Sequence, residues 1–214
     1  IVLMDFVLER GNAEISDLEG AVAEKHDILG LYITVGAGIT NIDARNTRVE
    51  QIAEKFDYEL MIWSDMFFRS WNNGKYYIPK CEMPKEVVEA FPPEVIPVFW
   101  DYWTTRQQGY ADMFDNHRQL SKNTWFAGGA WAWQGFSPMN AFSLKTMGLA
   151  MESVRDNGIE NVLITVWGDN GKECSYFSIL PSLYAIRQFA EGNFDMDSIK
   201  AGFKGEFGFD FDGW

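Results

Sequence analysis

Four short apolar runs recur along this chain, spaced to leave room for one helix between each pair. That rhythm narrows the fold more than any other feature. The runs are Leu60-Met61-Ile62-Trp63, Ile96-Pro97-Val98-Phe99-Trp100, Thr124-Trp125-Phe126-Ala127 and Val162-Leu163-Ile164-Thr165-Val166-Trp167. Each is nearly continuous in apolar character, as a strand buried on both faces requires. Their starts lie about 28 to 38 residues apart, the repeat of a strand-plus-helix unit. Helical periodicity fills the gaps. Residues 45–56 place Val49, Ile52, Ala53 and Phe56 on one side, and residues 84–91 follow Pro84 with Val87, Val88 and Phe91. Residues 107–120 align Tyr110, Met113, Phe114, His117 and Leu120, and residues 141–157 align Leu144, Met147, Met151 and Val154. Two more helices are predicted over 178–191 and 197–207. The alternation predicts an α/β fold with a parallel sheet. Ahead of residue 45 the pattern is weaker: 1–8 reads as a strand, 17–31 as a helix and 33–40 as a strand or a loop.

Charge and composition exclude several functions. The net charge is −13 over 214 residues, which opposes binding to phosphate backbones or anionic membranes. The opening Ile1-Val2-Leu3-Met4 is broken at Asp5, too short for a membrane span and without the layout of a signal peptide. Cys81 and Cys174 are the only cysteines, and two isolated thiols fit a reducing compartment, so a cytoplasmic protein is expected. His26 and His117 lie far apart with no zinc spacing around them, so no metal site is expected. The aromatic residues stand out instead, with 17 Phe, 9 Trp and 8 Tyr.

Those tryptophans collect where the predicted strands end. The four ends read Trp63-Ser64-Asp65, Trp100-Asp101-Tyr102-Trp103, Gly128-Gly129-Ala130-Trp131-Ala132-Trp133 and Trp167-Gly168-Asp169-Asn170-Gly171-Lys172-Glu173. In βα architectures the functional residues occupy this edge. Indole faces cover the flat C–H face of a pyranose, and carboxylates accept hydrogen bonds from its hydroxyl rim. A pocket built of Trp and acids therefore suits a neutral sugar. Each residue also has a structural reading: the Trp as packing, the Asp as turn or helix caps, and Glu173 as a helix-dipole partner.

Met61 to Arg69, Phe99 to Tyr102, Trp125 to Trp131 and Trp167 to Ser175 together resemble glycoside hydrolase family 20, in its GcnA-like bacterial branch. The resemblance runs in order from residue 45 to about 210. It implies a (β/α)8 TIM barrel and retaining removal of terminal β-linked GlcNAc or GalNAc from glycans or glycosides, with no cofactor. In that family the substrate's own acetamido oxygen is the nucleophile. Carried over by position, Trp63, Trp131 and Trp167 look like pocket walls, and Tyr102 resembles the residue that binds the acetamido oxygen, with Asp101 beside it; Trp100, from its strand-end position, is a further expected sugar contact. Asp169, or else Glu173, resembles the acid that holds sugar hydroxyls, and Asp65 falls at the rim.

One family motif is missing. The catalytic Asp-Glu pair precedes the Trp63 motif in the family, yet neither Asp-Glu nor Glu-Asp occurs before residue 45. The nearest stretch, Gly20 to Asp27 followed by Leu29-Gly30-Leu31, places Glu24 at the general-acid position and Ala23 at that of the orienting Asp. Glu24 also reads as an exposed helix charge. A full barrel of this kind takes about 250 residues. The expectation is therefore a partial barrel of about four to six βα units over residues 1–194, with 195–214 opening a C-terminal helical region. Two other functions fit the same residues: a carbohydrate-binding half-pocket without catalysis, and a half-barrel that forms a homodimer through its sheet edges.

Overall fold

The computed structural model describes residues 5–8 and 31–35 as strands, and residues 59–168 and 173–213 in full. Six strands form one parallel sheet: β1 Asp5–Leu8, β2 Leu31–Val35, β3 Leu60–Trp63, β4 Ile96–Trp100, β5 Trp125–Gly129 and β6 Val162–Thr165. They lie side by side in chain order, each paired with the one before it. The described helices are α1 Asp65–Arg69, α2 Lys85–Glu89, α3 Gln107–His117, α4 Asn140–Asp156, α5 Leu180–Glu191 and α6 Met196–Phe207. A 3-10 turn, Tyr176–Ile179, leads into α5. The α/β class and the parallel sheet follow the apolar rhythm of the sequence. The segment read as strand or loop over 33–40 starts earlier, as β2 at Leu31. The helix expected over 45–56 lies outside the described residues, as does most of that expected over 17–31.

Register explains which side chains look where. Met61 pairs with Ile96, Trp63 with Val98, Val98 with Trp125, and Trp100 with Ala127. Alternate residues share a face of a strand, so Met61, Ile96, Val98, Ala127 and Leu163 form one buried cluster, against which Trp63, Trp100 and Trp125 pack. The opposite face belongs to the helices. There Phe99 and Phe126 join Tyr110, Met113 and Phe114 of α3 and Met147, Ala150, Met151 and Val154 of α4. The same core takes Ile186 and Phe189 from α5 and Ile199 and Phe203 from α6. A side chain at Gly128 would run into the Met147 thioether, so the missing Cβ lets α4 lie close on β5.

The helix ends obey local chemistry. The Asp195 carboxylate caps α6 by accepting the Asp197 N–H. Both α5 and α6 stop at glycines in the left-handed region, Gly192 and Gly208. Helix α1 is the element that periodicity missed, because five residues are too few to display a repeat. Cys81 is exposed, Cys174 is buried, and both are free thiols. Among the described residues no helix is long and apolar enough to cross a membrane.

Candidate functional site

The carboxyl ends of β3, β4, β5 and β6 bring their aromatic residues into one continuous set of ring contacts. Trp63 lies 6.1 Å from Trp167 between ring centres, and Trp167 lies 6.3 Å from Tyr102. Tyr102 stacks on Trp100 at 5.5 Å. Behind this row stand Trp131 and Trp133, stacked at 4.4 Å, with Trp133 edge-on to Tyr102 at 5.6 Å. The front row is partly open, since Trp63, Trp100 and Trp167 are half-buried, whereas Tyr102, Trp131 and Trp133 are buried.

Backbone hydrogen bonds carry the sheet pairing past the strands and aim these rings. Ser64 N–H donates to Val98 O at 3.2 Å, Asp101 N–H to Ala127 O at 3.0 Å, and Ala130 N–H to Thr165 O at 3.0 Å. Asp101 then builds the next turn, its Oδ1 accepting the N–H groups of Trp103 and Thr104, each at 2.9 Å. The Trp131 indole donates to Tyr102 O at 2.9 Å, and Trp131 N–H donates to Ser143 Oγ at 2.9 Å. Gly129 is a further requirement: a Cβ there would sit 2.6 Å from the Trp133 ring and 2.9 Å from that of Tyr102.

The predicted acids separate into different settings. Asp101 is fully buried, and among the described residues its Oδ2 has no hydrogen-bond partner. Burial raises its pKa above the usual carboxylate range, against the lowering effect of the hydrogen bonds from Thr104 and Trp103. Asp65 opens α1 and pairs with Arg69 one turn on, Nε to Oδ2 at 2.8 Å. Glu173 is exposed, shortly before the 3-10 turn. Glu24 and Asp169 lie outside the described residues. Among the described residues no group of three His, Cys, Asp or Glu side chains is placed to hold a metal ion. Trp131 stands behind the front row, against Trp103, Trp133 and Phe142.

A buried polar chain supports the wall from the helix side. His117 Nδ1 lies 2.6 Å from Met113 O, and because a carbonyl only accepts, that nitrogen carries the proton. Burial pushes the His117 pKa down to about 3, so the ring is neutral and Nε2 is an acceptor. Ser64 Oγ lies 2.6 Å away, and its one proton is shared between this nitrogen and Val98 O at 2.9 Å. Tyr76 Oη donates to Ser64 Oγ at 3.0 Å and accepts the Trp100 N–H at 3.3 Å. The contacts run from the backbone of Trp100 through Tyr76 and Ser64 to helix α3, with a branch from Ser64 to Val98 O on β4. The sequence carried one hint of this arrangement, a histidine on the apolar side of the 107–120 pattern; Ser64 and Tyr76 gave no signal.

The chain matches no protein-family model and no curated protein sequence.

Proposed function

We propose that this chain is a β-N-acetylhexosaminidase-type glycoside hydrolase of the family 20 kind, and that its sheet is an arc of a (β/α)8 barrel. The sequential strand order with no reversal supports the barrel reading. One observation carries the functional reading: the ends of β3, β4 and β6 contribute Trp63, Trp100, Tyr102 and Trp167 to a single half-open aromatic wall, backed by Trp131 and Trp133 after β5. A wall of partly exposed rings suits the apolar face of a pyranose. Tyr102 is the residue for the acetamido oxygen of an N-acetylhexosamine. In the proposed reaction that oxygen attacks the anomeric carbon and closes an oxazoline ring, while a general acid protonates the departing glycosidic oxygen. The same acid, as base, then activates the water that opens the ring. Glu24 is the candidate for this role and Asp169 for the sugar hydroxyls.

The test is hydrolysis of chromogenic β-GlcNAc and β-GalNAc substrates, run beside a tryptophan-fluorescence titration with GlcNAc. Hydrolysis that falls at least 100-fold in Glu24→Gln supports the full reading. Unchanged hydrolysis in that variant removes Glu24 from the mechanism. Saturable quenching with no hydrolysis supports the carbohydrate-binding alternative. No quenching and no hydrolysis overturns the sugar site.

A further inference from the structure

Strand β3 stops at Trp63, opposite Val98, while β4 runs on to Trp100. In a parallel ladder alternate residues of a strand bond the same neighbour, so the main chain of Trp100 faces the β3 side, as that of Val98 does. Val98 O is served there by the Ser64 N–H at 3.2 Å. The next rung would fall to Ser64 O. That carbonyl turns instead into α1 and accepts the Phe67 N–H at 3.0 Å. Trp100, half-buried in the front row of the wall, has therefore outrun the strand that should hold it.

Two consecutive side chains fill the gap. The Tyr76 hydroxyl accepts the Trp100 N–H at 3.3 Å, and the Tyr77 hydroxyl donates to Trp100 O at 3.4 Å. Tyr76 is the firmer of the two. It is buried, its ring lies 5.0 Å from that of Trp100, and its hydroxyl is fixed by Ser64 Oγ at 3.0 Å. Ser64 Oγ is tied in turn to Val98 O and to His117 Nε2. Phe68 at 5.5 Å and Phe99 at 6.2 Å hold the Tyr76 ring edge-on. A strand end whose polar groups go unpaired opens readily into water, and Trp100 would carry its indole with it.

We propose that Tyr76 is a positioning residue for the strand-end pocket. Its hydroxyl stands in for the missing rung of β3 and so fixes the Trp100 indole where it stacks on Tyr102. Tyr76 is buried behind the wall and acts on a sugar only through Trp100. This inference rests on the sugar-site reading above and adds to it the residue that sets the shape of the front row.

Tyr76→Phe keeps the ring and removes only the hydroxyl. Methyl β-GlcNAc is titrated by calorimetry into wild type, Tyr76→Phe, Trp100→Ala and the double variant, with thermal unfolding as the folding control. Tyr76→Phe is expected to weaken binding about fivefold, the worth of one hydrogen bond. In the Trp100→Ala background the same change should cost nothing further, because a residue that acts through Trp100 has nothing left to position. A second readout needs no sugar. The Trp100 indole N–H resonance, identified by its absence from Trp100→Ala, should shift in Tyr76→Phe. Ser64→Ala, which frees the Tyr76 hydroxyl and leaves its ring alone, should repeat both effects in weaker form and replaces Tyr76→Phe if that variant fails to fold. Unchanged affinity in Tyr76→Phe overturns the proposal while leaving the pocket intact. Equal losses in both backgrounds, or an indole resonance that stays in place, also overturn it. If Trp100→Ala binds too weakly to close the cycle, the resonance decides. A wild type that binds no methyl β-GlcNAc overturns the sugar reading, and the positioning role falls with it.

Discussion

His117 stays uncharged in the folded protein because no water reaches it and its two nitrogens are already engaged by Met113 O and Ser64 Oγ. The unfolded chain faces no such restriction and takes up a proton near pH 6.5. As pH falls from about 6.5 toward 3, the unfolded state binds a proton that the folded state refuses. Stability is then lost by about 1.4 kcal/mol per pH unit from this one residue. Removing the imidazole removes that slope. His117→Gln should cost about 1–3 kcal/mol at pH 7 through the disturbed hydrogen bonds, yet lose less on acidification than the wild type. Urea unfolding at pH 7 and pH 4.5 measures both effects. Gly129 makes a different kind of demand. Gly129→Ala drives a methyl group into two rigid rings, so a loss of about 1–3 kcal/mol is expected in urea unfolding, with weakened quenching by GlcNAc. Neither demand could be read from the sequence. A glycine before Trp131 and a histidine on an apolar helix side each have many ordinary explanations, and only the fold shows what lies against them.

At the level of elements, the connection from β4 to α3 hangs on one carboxylate. Asp101 holds two N–H groups of the turn that carries Trp103, so Asp101→Ala leaves both without their acceptor. A loss of about 1–3 kcal/mol is expected in thermal unfolding, together with freer motion of Trp103 in fluorescence anisotropy. Asp101→Asn keeps the accepting oxygen and should fold well. Burial has raised the Asp101 pKa, so its stabilising contribution belongs to low pH and is lost as pH rises through the folded value. The Asn variant should therefore gain on the wild type as pH increases. The strands themselves were legible because continuous apolar runs bounded by Gly and acid leave few other readings; β3, β4, β5 and β6 all occupy the expected runs. The layering of the site was less legible. A Trp at a strand end looks the same in sequence whether it is half-open, like Trp63, or buried and stacked on a neighbour, like Trp131 on Trp133. The commitments of Asp65 to Arg69 and of Asp101 to its turn were also invisible, since a short-range ion pair or a turn cap competes for the acids that a pocket needs.

Over the whole molecule, helix α6 shares the core of the sheet instead of standing apart. Phe203 is fully buried and meets Tyr184 at 5.6 Å, Phe207 at 4.9 Å and Phe211 at 5.3 Å. Phe203→Ala should lower stability by about 3–5 kcal/mol. Tryptophan fluorescence, to which the strand-end indoles contribute, should shift its midpoint together with far-ultraviolet circular dichroism. A fluorescence midpoint left in place would mean that the C-terminal helix melts as a separate unit. The aromatic wall also has an optical consequence. Indoles stacked as closely as Trp131 and Trp133, 4.4 Å apart, couple their electronic transitions and share an excitation. Such coupling gives a circular-dichroism band of its own on the long-wavelength flank of the helix signal. That band depends on the angle between two rings, so it reports the shape of the wall in a protein that carries no label, and it should respond to a displaced ring before the helices lose any signal.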